Sequence, residues 1–164
     1  MDALTESKNK TQIKNIGVDE ATKKIKSFCA YQERNHREVK NKLFEFGLYP
    51  NQVEELISLM INEGFLNEER YAKTYAGGKF RIKQWGKQKI IYNLKLKGLS
   101  SYCIKKGLQE IDDEEYIFAA KKLLISKYKT LGKRSATKDV KVKNFLMQRG
   151  FENSIIYSLL KEEF

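Results

Sequence analysis

The chain has 164 residues, 41% hydrophobic and 12% aromatic, enough apolar side chain for a core and against disorder throughout. No run approaches the roughly 18 apolar residues of a membrane span, and the start lacks the apolar stretch of a secretory signal, so a cytoplasmic protein with no membrane association is expected. The net charge of +11 is segregated: residues 70–109 hold 11 basic side chains and no acid, while residues 1–69 are net −2 and residues 110–120 net −5. A field of one sign repels itself, which points to a polyanionic partner.

Residues 1–17 are polar and without apolar period and read as a flexible tail. A first helix opens on DEATKKI at Asp19 and carries Ala21, Ile25, Phe28 and Cys29 on its apolar face. The polar run ERNHRE around His36, the single histidine, reads as an exposed turn, and one histidine excludes a His–His metal site. Next comes VKNKLFEFGLYPNQVEELI from Val39, with Pro50 suited to a first helical turn and Val53, Leu56, Ile57, Met60 and Ile61 spaced as one helix face. The run NEERYAKTYA at Asn67 opens another helix, in which Glu68 and Glu69 fit the helix dipole better than a pair of catalytic carboxylates. Gly77 and Gly78 lie inside that helix, each costing about 1 kcal/mol relative to alanine, which leaves room for a kink or an early stop.

The stretch KFRIKQWGKQKIIYNLKLKG, Lys79 to Gly98, follows with seven basic residues, the single tryptophan and no acid. Lysine often serves only to solvate a helix face, and a lone tryptophan beside glycine more often packs between helices than stacks on a base. The charge segregation nevertheless singles out Lys73, Lys79, Arg81, Lys83, Trp85, Lys87, Lys89, Lys95 and Lys97 as candidates for contact with a partner or DNA. Most are lysines, mobile point charges that attract phosphate without reading sequence. Farther on, DDEEYIFAAKKLL at Asp112 opens a helix with Tyr116, Ala119, Ala120, Leu123 and Leu124 on one face, and GKRSATK at 132–138 reads as a flexible loop.

A repeat ties these elements together. Gly47, Gly98 and Gly150 each have a β-branched residue eight positions before (Val39, Ile90, Val142) and a leucine four before (Leu43, Leu94, Leu146). A large apolar residue follows directly (Leu48, Leu99, Phe151), and another aliphatic stands six after (Val53, Ile104, Ile156). The pattern spells helix, glycine stop, helix, with the next helix opening at Ser100 or Ser101 in the second copy and near Asn153 in the third. Adding the acidic-start helix before each pair predicts an all-α chain: an elongated array of three tandem three-helix modules at 18–66, 67–111 and 112–164. Cys29 and Cys103 sit in apolar patterns and read as reduced core thiols. No Walker loop, GxGxxG, CxxC or nucleophile elbow is present, so neither an enzyme nor a cofactor is expected.

The segment from Gly64 to Asp112 resembles the central module of the bacterial RecX regulatory family. The likeness rests on FLNEERYA at 65–72, the basic block at 81–90 with Trp85 and Gly86, and L-x-x-K-G at 94–98. The modules on either side fit the same family, so the likeness spans roughly 18–164. It implies a non-enzymatic protein that binds the RecA recombinase filament in its helical groove and restrains ATP hydrolysis and strand exchange. Such a protein would act as a monomer and touch DNA weakly, without sequence preference. Two other readings of the charge stay open: an autonomous sequence-nonspecific nucleic-acid binder, and a helical scaffold for an unrelated acidic partner.

Overall fold

The computed structural model describes residues 14–162. Among the described residues the regular structure is helical throughout, in nine helices and no strand: α1 (Val18–Tyr31), α2 (His36–Glu45), α3 (Pro50–Asn62), α4 (Glu68–Lys83), α5 (Lys87–Leu96), α6 (Ser101–Leu108), α7 (Asp113–Leu131), α8 (Ala136–Arg149) and α9 (Asn153–Glu162). They fall into two units that divide after Leu66. Of the expected tail at 1–17, residues 1–13 lie outside the described residues. Ile16 packs against the first core and donates its backbone N–H to Phe46 O at 3.1 Å.

The glycine repeat has one physical cause. Gly47, Gly98 and Gly150 take φ of 77°, 84° and 93°, the left-handed region that costs glycine little. Each glycine N–H donates to the carbonyl three residues back, at 2.9 Å in all three copies. The N–H that follows donates to the leucine carbonyl five residues back: Leu48 to Leu43, Leu99 to Leu94 and Phe151 to Leu146, at 3.4, 3.2 and 3.1 Å. This is the Schellman termination, which satisfies orphan carbonyls and brings the residue after glycine onto the last helical turn. The leucine before and the apolar residue after each glycine are therefore two sides of one contact, and all of them are buried.

The first unit packs α1–α3 around Ile25, Val39, Leu43, Val53 and Met60, each fully buried. Asn35, 1% exposed, closes a reciprocal capping box on α2: its side chain accepts from Glu38 N–H at 2.9 Å, and Glu38 accepts from Asn35 N–H at 3.0 Å. The segment expected as an exposed turn is thus a helix start, with His36 its exposed first residue.

In the second unit, α4–α9 share one core. Asn67, Ser100 and Asp112 cap α4, α6 and α7 through their side chains, as the sequence predicts. Helix α4 runs unbroken through Gly77 and Gly78. Close approach to α6 is set instead by small residues: a Cβ on Gly107 would stand 2.7 Å from Ala72 O. The expected loop at 132–138 is shorter, because α8 already begins at Ala136. Arg134 forks onto Asp139 at 2.9–3.1 Å, and Tyr128 OH donates to the same carboxylate.

Tyr116, 1% exposed, joins α4–α5 to α7–α9 within this core. Its ring lies 5.7 Å from Phe80 and 5.1 Å from Phe151. Its hydroxyl donates to Glu152 Oε2 at 2.6 Å and accepts from Lys87 N–H at 2.8 Å. Burial, and then the Glu152 bond, push the phenol far above the ordinary tyrosine range.

Candidate functional site

The turn between α4 and α5 organises the basic segment. Gln84 takes the left-handed conformation at φ 52°, and Trp85 packs half-buried against the core. Gly86 then donates to Arg149 O at 2.7 Å, Gln88 donates to Gly150 O at 3.0 Å, and the Arg149 guanidinium returns a bond to Lys83 O at 3.1 Å. A Cβ on Gly86 would collide with the Gly150 carbonyl. The Trp-Gly pair in the family-like block therefore docks α5 onto the end of α8. Packing is the first role of both residues.

Packing Trp85 also gathers charge around it. Lys79 Nζ lies 5.0 Å from the indole centroid and Lys89 Nζ 4.7 Å. Lys79 also stands 5.2 Å from the Tyr75 ring, with Lys97 at 5.6 Å from the same ring. Tyr71 and Tyr75 stack along α4 at 6.0 Å, one turn apart, and Lys79 continues that row. Lys79, Lys89 and Lys97 thus surround a Tyr75–Trp85 aromatic patch. Each such contact is worth only about 0.5–1 kcal/mol at a solvated site, so the ammonium charge of Lys79 and Lys89 stays available.

The remaining candidates divide. Lys73 pairs with Glu69 at 2.9 Å, which holds that carboxyl below its ordinary range and raises Lys73. Lys87 pairs with Asp113 at 2.6 Å, lowering the Asp113 carboxyl, and lies 4.7 Å from the Tyr116 ring. These two are spent largely on the protein's own acids. Arg81, Lys83 and Lys95 are exposed, and among the described residues they, with Lys79 and Lys89, form no ion pair. Sequence reasoning missed the part of Tyr75 in the cluster. The Tyr71–Tyr75–Lys79 spacing of four was the available signal.

Ammonium groups beside half-buried rings suit phosphate or carboxylate held without directional reading. Among the described residues no three His, Cys, Asp or Glu side chains gather as a metal site, and no helix is long and apolar enough to cross a membrane.

Comparison with known proteins gives this arrangement a family. Residues 67–108 match the profile described as RecX, second three-helix domain, and residues 113–160 match RecX, third three-helix domain. Regulatory protein RecX of Clostridium perfringens is 31% identical over 138 residues, covering 80% of this chain and 64% of the relative. Its namesake in Clostridium acetobutylicum is 31% identical over 143 residues, covering 84% of this chain and 66% of that one. The chain therefore spans just under two thirds of the length of these relatives. Crystal structures show the same fold: RecX from Lactobacillus salivarius superposes with a TM-score of 0.81 over 88% of this chain and 95% of its own, at 23% identity. With both helical triplets of its second unit matched, together more than half of its residues, the chain belongs to the RecX family.

Proposed function

We propose that this protein regulates recombination and DNA repair by binding the RecA recombinase filament and lowering its ATP hydrolysis and strand exchange. It does so as a cytoplasmic monomer without catalysing a reaction of its own. The observation that carries this reading is the Lys79–Lys89–Lys97 cluster, set by the same Trp-Gly turn that falls within the matched second three-helix domain. A filament of protein on DNA presents phosphate and acidic side chains together. Lysines held beside aromatic rings, with no acid among the described residues to quench Lys79 and Lys89, attract such a surface without reading bases. Contacts from several helices to successive protomers would combine through effective concentration, so each can be modest.

The test is titration of RecA ATPase on single-stranded DNA with the wild type and with a Lys79→Gln/Lys83→Gln/Lys89→Gln variant. Inhibition should set in below the concentration that coats free DNA, and the variant should need at least about tenfold more protein, the equivalent of 1.4 kcal/mol. Deleting residues 112–164 is a poor substitute, because Tyr116, Leu146 and Phe151 belong to the core that α4–α6 share. A second reading, an autonomous nucleic-acid binder, is favoured by the same lysines around Trp85. Inhibition that appears only once free DNA is saturated would select it.

A further inference from the structure

The first unit is net acidic in sequence over residues 1–69, yet α1 and α2 line a shallow, open basic basin of about 540 Å³. Phe28 and Phe46, both half-buried, form its apolar wall, and Tyr31, 84% exposed, stands at its rim. The Arg34 guanidinium lies 3.9 Å from the Phe28 centroid, and its Nε–H donates to Phe28 O at 3.4 Å. Lys42 Nζ is 5.8 Å from Phe28 and 5.6 Å from Phe46, with Lys24 at 6.0 Å from Phe46. Among the described residues Lys24 and Lys42 pair only with solvent-exposed glutamates of their own helices, Glu20 and Glu45. Lys23 and Arg34 pair with no acid among the described residues.

Two features of the basin constrain its ligand. It is open to solvent, and its walls are flat rings and a guanidinium plane, surfaces on which a planar ring stacks. Its rim is cationic, which calls for an anion attached to that planar ring. Tyr31 contributes almost nothing to the core, so its exposed ring has no role in holding the unit together. An acidic peptide would satisfy the charges but leave the rings unused. We infer that the α1–α2 basin binds a nucleotide, with one unpaired base against Tyr31 and the Arg34 guanidinium that covers Phe28, and its phosphate among Lys23, Lys24 and Lys42. The nucleotide is either free or part of a single strand. This site lies wholly in the first unit and is independent of the lysine cluster on α4 and α5.

The test uses the full-length protein, isotope-labelled for NMR, with Lys79→Gln, Lys83→Gln and Lys89→Gln to silence the second unit. Four probes are titrated: a thymidine strand of about ten residues, an abasic strand of equal length, thymidine monophosphate and a glutamate decamer. Amide shifts confined to residues 23–46 are expected with the thymidine strand. The same shifts with the monophosphate identify a free nucleotide as sufficient, and shifts with the strand alone identify the strand as the source. Tyr31→Ala should weaken the thymidine strand at least about fivefold, the low end for loss of a base–aromatic stack, and change the abasic strand by less than about twofold. Tyr49→Ala, at another exposed tyrosine of the same unit outside the basin, should change neither. Absence of shifts in 23–46, equal loss for thymidine and abasic strands, or equal response to the glutamate decamer would each overturn the inference.

Discussion

Replacing Gly86 with alanine separates two roles of glycine by the sign of the effect. Gly86 has φ −73°, a conformation alanine adopts freely. If only local backbone freedom mattered, Gly86→Ala would stabilise the protein by about 0.4–1 kcal/mol through the unfolded chain. The close approach of Gly86 to the Gly150 carbonyl reverses that expectation. To admit a methyl group the α4–α5 turn must move off the end of α8. The Gly86–Arg149 and Gln88–Gly150 hydrogen bonds, at 2.7 and 3.0 Å, then lengthen or break. Each is worth about 0.5–1.5 kcal/mol net, and forcing a methyl into a packed contact costs about 1–3 kcal/mol. The net loss is about 2–4 kcal/mol. Urea unfolding followed by Trp85 fluorescence reads the second unit directly, since the single tryptophan sits beside the substitution. With a slope of about 2 kcal/mol per molar urea the midpoint should fall by about 1–2 M. A midpoint that is unchanged or raised would refute the docking role of the turn.

Gly78 provides the opposite case: nothing lies within 4 Å of a Cβ there, so Gly78→Ala should raise the urea midpoint by an amount equivalent to about 0.5–1 kcal/mol. Tyr116→Phe should destabilise the second unit by about 1–3 kcal/mol, read by the same unfolding assay, because Lys87 N–H loses its acceptor and Glu152 its donor. Tyr128 has its phenol pushed from 10.0 up to about 12, by burial first and then by its bond to Asp139. The folded state holds that proton more tightly than the unfolded chain, so the stabilisation is complete below pH 10 and is lost as pH rises from 10 through about 12. The comparison is Tyr128→Phe against wild type, and the variant should lose less stability across that window.

The helical triplets were legible because their signals are local. A Schellman termination places leucine, glycine and a large apolar residue within six positions, and the three copies repeat it. The caps Asn67, Ser100 and Asp112 were equally readable. Asn35-x-x-Glu38 spelled out a capping box too, but the polar run around it suggested a turn, and its burial depended on the packing of α1 and α2. The short α7–α8 connection was hidden by small and basic residues that suit a solvated first helical turn as well as a loop. At the candidate site, charge segregation was visible and its outcome was not. Lys73 met a glutamate four residues away, a pairing the sequence allowed one to anticipate. Lys87 found Asp113, and Lys83 received a bond from Arg149, 66 residues distant, through contacts fixed only by the shared core. Trp85 likewise combines packing with a charged rim, which no spacing rule separates.

The central functional claim concerns the filament rather than the lysines alone, and one measurement addresses it most directly. Labelled protein is titrated, at a single salt concentration, against one oligonucleotide either naked or coated with RecA and a non-hydrolysed ATP analogue. A filament regulator half-saturates the coated strand at least about tenfold below the naked strand, a preference of 1.4 kcal/mol. Equal affinity for the two, or preference for the naked strand, would contradict the proposed regulation and leave a nucleic-acid binder in its place.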